Sequence, residues 1–516
     1  MSGIPWITLL TALPLVGGLV VLSAGGIRRA RWMAATFGSA GLLLTLYLWH
    51  TFDAASGAMQ FQERHAWLPA LGVDYHVGAD GLGLLMLLLS AIVVLMAMAA
   101  SWKNHEYGPL YFSLMLFLET GLFGTFTALN FIHWFVFWEL SLIPAFFLVR
   151  LWGGPGRARA ATQFFIYTMV GSVALLLAFL ALFLATGRFD FIELAQLARS
   201  GQLFHLIATN LHWHGWSGDR IATLIFCGAF LGFAVKVPVV PFHTWLPSTY
   251  AEASSSTTML LTGAMSKMGV YGFLRVLLPI FPAQMQQLQT PLLWLAVASI
   301  VLPAFAAWAQ TDLKRIFAYS SINHLGYCLL GICAAVKLTG ADAGLLAEKT
   351  AAIDGVMLQM FSHGLTAATL FWFVALLEEG SGGLRGLNDF GGLRRVAPVF
   401  CGLMGVALFS SLGLPGLNGF PGEFLIFKGS FPLASWATSL SVLGLLITAV
   451  FLLTILQRVF SGPLHERWAA FPDLTTTERL LLFPALALML VLGLYPELIL
   501  GMVNGTAMQL VSQLRF

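Results

Sequence analysis

Charge is what this chain has least of. Asp, Glu, Lys and Arg make up 9% of its 516 residues, against 58% hydrophobic ones. A water-soluble domain carries about 25% charged residues. A chain this poor in charge cannot cover its own surface in water, so its solvent is lipid. The net charge of +3 gives no reason to expect nucleic acid or an acidic partner. Cysteine is scarce as well: Cys227, Cys328, Cys333 and Cys401 all fall in apolar segments. With no CxxC pair and no Cys/His ligand spacing, they read as small buried hydrophobes, and disulfides and metal sites are not expected. Also missing are a GxGxxG nucleotide loop, a haem ligand pair and an iron–sulfur cysteine motif, so no redox centre is expected in the chain itself.

What is present is a succession of apolar runs. A helix needs about 20 apolar residues to cross a bilayer, and the runs predict spans near 5–24, 32–51, 81–101, 109–127, 130–151, 160–186, 220–244, 253–280, 291–310, 314–335, 352–377, 398–427, 434–458 and 479–503. The expectation is an all-α polytopic membrane protein of about fourteen transmembrane helices. In the first run, Pro5 to Leu22, the positive charges Arg28, Arg29 and Arg31 follow the apolar stretch, where a signal peptide would place them before it. The run therefore reads as a retained helix. No Gly/Ser linker or low-complexity segment divides the chain, which predicts one membrane domain over 1–516 with outer loops at 52–80 and 187–219.

Lys and Arg set the direction. Odd-numbered connections hold Arg28, Arg29, Arg31, Lys103, Arg157, Arg159, Lys314, Arg315, Arg385, Arg394, Arg395 and Arg467, while even-numbered ones hold chiefly Arg64, Arg188, Arg199, Arg220, Lys337 and Lys349. By the positive-inside rule the odd loops face the cytoplasm and both termini lie outside.

A charge at mid-bilayer costs about 2.5–3.5 kcal/mol on the lenient insertion scale, so intramembrane charges are informative. Glu139, Lys236, Lys267 and Glu423 stand well inside predicted spans, and the histidines His324 and His363 join them. Each has a bland reading as a static pair or a helix-to-helix hydrogen bonder, and Lys428 could pair with Glu423 or reach toward an interface. Two buried lysines and two buried glutamates together favour functional use. Spacing adds to this. Glu139 to His324 and Lys236 to Glu423 are both separated by roughly 185 residues, as an internal repeat would produce.

Lys236 runs into "PVVP" and Glu423 follows "LPGLNGFPG", so each half carries a broken helix with an ionisable group. Paired interrupted helices of this kind mark inverted-repeat transporters with midplane ion sites. Backbone groups freed by the breaks are tolerated only where protein or water satisfies them. A lysine there, beside a carboxylate, is a proton-handling element. Asp80 reads as a helix N-cap, and Asp312, Lys314 and Arg315 as a helix-end charge cluster; no role is assigned to Glu252.

The segments "FWELSLIPAFFLVRLWGG", "AVKVPVVPFHTWLP", "KMGVYGFLR", "AQTDLKRIFAYSSINHLGY", "FSHGLTAATLF" and "GLPGLNGFPGEFLIFKGSF" resemble the antiporter-like membrane subunits of respiratory complex I, chain M of bacterial NADH–quinone oxidoreductase among them. The likeness runs from about residue 80 to the last helix. It implies fourteen helices with two inverted five-helix repeats and broken helices 7 and 12. About 1–107 would hold helices 1–3, about 108–280 the first repeat, about 291–458 the second, and about 479–503 the last helix. It also implies that Glu139 modulates the proton affinity of Lys236, that Lys267 passes the proton toward His324 and His363, and that Glu423 is the terminal carrier. NADH, FMN, iron–sulfur clusters and quinone would belong to partner subunits. The partners would be the other membrane-arm subunits, including sister antiporter-like chains, together with lipid. The location would be the cell inner (plasma) membrane.

A glutamate at 423 separates chain M from its sister chains and from many multisubunit cation/proton antiporters, where a lysine is expected. The chain departs from the family's pattern after "HTWLP", where Ser248, Tyr250 and "EASSSTTMLL" replace the usual aspartate, histidine and "EAP". It departs again at Ser266, where leucine is usual, and at Gln163, where lysine is common. These departures leave open which complex the chain serves. The competing readings are a cation/proton antiporter subunit, a redox pump with another electron donor and a structural scaffold.

Overall fold

In lipid the backbone has no water to bond, so apolar runs satisfy their own amides and carbonyls by coiling. The computed structural model describes residues 3–212, 215–340 and 342–514 and shows this in nearly every run. The chain opens with α1 (Trp6–Leu22) and α2 (Ile27–Thr51), a two-stranded hairpin of β1 (Gln60–Leu68) and β2 (Val73–Ala79), and α3 (Gly81–Ala100). Then come α4 (Pro109–Thr127), α5 (Phe131–Trp152), α6 (Arg157–Thr186), the short α7 (Phe191–Arg199) and α8 (Gln202–Asn210), α9 (Gly218–Lys236) and α10 (Trp245–Glu252).

Residues 255–280 form one rod in which α11 (Ser255–Leu260), α12 (Lys267–Gly272) and α13 (Leu278–Ile280) alternate with π-turns at Leu261–Met265 and Phe273–Leu277. The second half comprises α14 (Pro282–Gln287), α15 (Gln289–Trp308), α16 (Leu313–Ala335), α17 (Ala343–Ser381), α18 (Pro398–Ser411), α19 (Gly419–Ser430), α20 (Ser435–Ile455), α21 (Thr476–Leu494) and α22 (Glu497–Ser512).

Among the described residues, eleven helices are long and apolar enough to cross a membrane, and α1 and α18 are shorter apolar helices. The helices at the centre are buried almost all round: every residue but two of α16 is buried, and α17 is buried through its middle. Peripheral helices turn leucines outward, including Leu177 and Leu184 on α6, Leu446 on α20 and Leu480 and Leu494 on α21. Those faces meet lipid or neighbouring chains, which is where apolar side chains belong in this solvent.

The structure departs from the sequence reading in three places. The expected all-α chain carries the antiparallel β1–β2 hairpin, because 60–79 mixes polar and β-favouring residues and turns at Gly72, whose φ of 61° is left-handed. The outer segment 187–219 contains α7 and α8. The last span does not run through 479–503. It stops at Leu494, and the chain restarts beyond Pro496, which has no amide to continue the ladder. The resulting α22 packs on α3 and α17, and its Thr506 Oγ1 accepts the Gly81 amide at 3.1 Å.

Candidate functional site

Lys236 is the last residue of α9, where the helix meets Pro238. The break leaves carbonyls and amides without helical partners, and side chains from outside take them up. The Trp245 indole donates to the Val235 carbonyl at 3.0 Å, and the Val240 amide donates to Ser299 Oγ at 2.9 Å. Lys236 itself is buried, with its Nζ 4.9 Å above the Trp138 ring. The charge that acts on it is Glu139, the next residue on α5. Among the described residues no direct ion pair joins the two, and Glu139 Oε1 has no hydrogen-bond partner.

Lys267 sits between the two π-turns of the 255–280 rod and is fully buried. Its Nζ lies 2.8 Å from His363 Nδ1 on α17 and 3.3 Å from Ser266 Oγ, and it also donates to the Thr262 carbonyl. The His363 ring stacks on that of His324 with centroids 5.2 Å apart. On the far side, His324 Nε2 stands 3.5 Å from Glu423 Oε1 on α19. Lys267, His363, His324 and Glu423 thus form an unbroken line of ionisable groups drawn from four helices.

The second break gives His324 a further task. Gly413 and Gly416, with φ of 78° and 93°, take the chain out of α18 in a conformation that disfavours side chains with a Cβ. The Ser411 carbonyl is taken up by His324 Nε2 at 2.9 Å, while His324 Nδ1 lies 2.7 Å from the Ser320 carbonyl. Ser320 Oγ also lies 3.3 Å from His324 Nδ1, so the ring is held on both nitrogens. On the other side of the Glu423 carboxyl, Gln359 Nε2 donates to it at 3.3 Å.

Some expectations from sequence need correction. Lys428 neither faces Glu423 nor stands alone: it pairs with Glu348 at 2.8 Å, half exposed. Asp80 is an N-cap, accepting the Gly83 amide at 3.0 Å, but it also forms a buried ion pair with Arg275 at 2.5 Å. Of the presumed helix-end cluster, Asp312 caps α16 and pairs with Arg385 at 2.6 Å, while Lys314 turns inward to Glu378 at 3.2 Å. Glu252 holds the start of α6, accepting the Gly156 amide at 2.7 Å.

Sequence reasoning passed over Glu119, fully buried on α4 with neither carboxylate oxygen partnered, and Asp354, buried on α17. Both fall inside predicted spans, so the signal that exposed Glu139 applied to them too. Tyr250, Trp138 and Gln359 carry no charge and gave no such signal. Among the described residues, no group of three His, Cys, Asp or Glu is placed to hold a metal ion.

Two halves, each with an interrupted helix bearing an ionisable group and joined by a buried polar line, define an ion-translocating membrane subunit of the antiporter type. The family described as NADH:quinone oxidoreductase/Mrp antiporter, TM, matches residues 128–448, and the chain belongs to it. Similar proteins include the F(420)H(2) dehydrogenase subunit M of Methanosarcina mazei, 36% identical over 92% of each chain. The NADH-quinone oxidoreductase subunit M of Rhodobacter capsulatus is 33% identical over 92% of this chain and 90% of its own. A chain of respiratory complex I from Thermus thermophilus superposes with a TM-score of 0.84 at 27% identity, covering 98% of this chain and 99% of that one.

Proposed function

We propose that this chain is the proton-translocating, M-type membrane-arm subunit of a quinone oxidoreductase of the complex I kind. The observation that carries the reading is the buried line Lys267–His363–His324–Glu423, with Lys236 and Glu139 at its head. Buried ionisable groups are expensive in a membrane and persist where an ion path needs them. In this reading Glu139 sets the charge state of Lys236, Lys267 and the two histidines carry the proton along the axis, and Glu423 hands it to water. The energy comes from redox chemistry in partner subunits, which hold the flavin, the iron–sulfur clusters and the quinone site.

The same reading supplies the architecture. The eleven long spans, α1, the 255–280 rod and the α18–α19 pair make fourteen crossings in one membrane domain. Residues of about 108–280 and 291–458 are the two inverted repeats, each interrupted once. Lys and Arg enrichment on the odd loops puts both termini on the outer face of the inner (plasma) membrane. The relatives' names include both an F(420)H(2) dehydrogenase and an NADH–quinone oxidoreductase, so the electron donor is set by the partner chains. A stand-alone cation/proton antiporter is the second reading, and Glu423, where such antiporters are expected to carry lysine, favours the first.

The test is redox-driven proton translocation by the purified complex in proteoliposomes. Lys236→Ala in an assembled complex should lose pumping. Normal pumping would overturn the assignment, and failure to assemble would support a structural role for Lys236 instead.

A further inference from the structure

The line of ionisable groups has one gap. Among the described residues, no hydrogen bond or ion pair joins Lys236 to Lys267. The gap is a small cavity of about 10 Å³ lined by Lys236, Trp245, Tyr250, Leu261, Met265 and Ser266. That is at the lower limit of the room one water needs.

Two hydroxyl-bearing residues outside the ionisable set, Tyr250 and Ser266, line this space. Tyr250 is fully buried on α10, and the hydroxyls of Thr262 and Ser266 are the polar groups that act on its phenol. A buried phenol left without a partner would cost about 1–3 kcal/mol, so the cavity and these hydroxyls are where it must find one. Ser266 occupies the other wall. Its Oγ donates to the Thr262 carbonyl at 2.9 Å and receives Lys267 Nζ at 3.3 Å.

We propose that the Tyr250 and Ser266 hydroxyls form the hand-over between Lys236 and Lys267, an inference that rests on the proton-pumping reading above. A hydroxyl both donates and accepts, so it relays a proton without changing its own net charge. The Lys236 ammonium gives up one proton to the Tyr250 oxygen, directly or through one water, as the phenol proton moves on to Ser266 Oγ. The serine's own proton passes to the lone pair of a neutral Lys267 amine, which becomes an ammonium. Lys236 ends neutral, Lys267 ends charged, and rotation of the two hydroxyls resets them. No bond other than O–H and N–H forms or breaks.

The position of the relay also gives it a control. Tyr250 lies on α10, immediately beyond the break, whereas Ser266 lies at the edge of a π-turn. A small shift of α10 against the rod opens or closes the oxygen-to-oxygen distance, so the break adjoins the hand-over step.

The experiment is proton translocation by the assembled complex in proteoliposomes with Tyr250→Phe, Tyr250→His, Ser266→Ala and, as a control, Lys236→Ala. Tyr250→Phe keeps the ring, including its edge contact with Phe371, and should lower the pumping rate by about a hundred-fold or more, the scale of a lost proton-transfer group. Tyr250→His, which again offers a donor and an acceptor, should restore most of it. Ser266→Ala should match Tyr250→Phe, and the double variant should be no worse than either, since both lie in series. Wild-type pumping by Tyr250→Phe, or a loss that Tyr250→His fails to rescue, would overturn the relay. If Tyr250→Phe does not assemble, Ser266→Ala decides: wild-type pumping there rejects the proposal. Normal pumping by Lys236→Ala would instead remove the reading on which it rests.

Discussion

Lys267 Nζ and His363 Nδ1 meet at 2.8 Å across the 255–280 rod and α17. An ammonium only donates, so while Lys267 is charged the His363 Nδ1 must accept, and the imidazole proton sits on Nε2, the nitrogen free to pass it on. Substituting Lys267→Met, similar in length and without charge, should abolish pumping while the complex still assembles. His363→Ala should do the same. The two effects should not add, because each removes the same link, and a double variant measured in proteoliposomes checks this.

Glu423 and Lys428 should behave as unrelated residues. Glu423→Gln keeps shape but not the titrating group, and should reduce protons moved per electron pair with little change in assembly. Glu423→Lys should keep partial function, as sister chains are expected to run the same site with lysine. Lys428→Ala breaks only a half-exposed bridge to Glu348, worth about 0–1 kcal/mol, and should pump as wild type. A pumping loss in Lys428→Ala equal to that of Glu423→Gln would show that the two act together.

The Asp80–Arg275 pair is structural, so its loss should appear in stability. Both side chains are nearly buried, and the pair ties the start of α3 to the π-turn after α12. Removing one member leaves an uncompensated charge, at a cost of about 3–5 kcal/mol. Arg275→Ala should lower the thermal inactivation temperature of the complex. Asp80→Ala, which loses the N-cap as well, should lower it further. Asp80→Asn keeps a capping oxygen and should fall between wild type and Asp80→Ala.

Asp190 makes a pH prediction outside the membrane. It caps α7 and accepts His76 Nδ1 at 2.5 Å, fastening the β-hairpin to the 187–212 segment. Burial pushes its carboxyl up, but the His76 hydrogen bond, the Glu193 amide and the charges of His76 and Arg64 together hold it below the ordinary value. A carboxyl lowered on folding stabilises the folded form fully above its unfolded value near 3.9, and that contribution is lost as pH falls through the folded value. The latch should therefore hold at neutral pH and release only in acid. Limited proteolysis of the hairpin against pH reads this, and Asp190→Asn should flatten the dependence.

The membrane helices and the six ionisable residues were legible because lipid penalises charge and rewards unbroken apolar runs. The breaks at 237–244 and 412–418 were legible from proline and glycine. What stayed hidden had no such signature. The β-hairpin lies in a polar outer segment where neither period dominates, and the stop at Tyr495 lies inside a run whose hydropathy carries on past Pro496. The partners of Lys428 and Lys314 depend on which way a long side chain turns, which helix packing decides and local sequence does not. Glu119 was readable but overlooked. A methyl on Gly41 of α2 would touch its carboxylate, and neither carboxylate oxygen has a hydrogen-bond partner among the described residues.

Trp138 and Glu139 are adjacent on α5, yet they treat the Lys236 ammonium in opposite ways over time. The indole, held by its Nε1 bond to Ser172 Oγ at 3.0 Å, offers a permanent negative face worth roughly 0.5–2 kcal/mol to a cation. The carboxylate's attraction is present only while it is ionised. In the proposed mechanism one neighbour is therefore a constant bias and the other a signal. When Glu139 is neutralised the ammonium loses part of its support and keeps the share the ring provides. In engineering terms the tryptophan is the counterweight and the glutamate the finger on the scale.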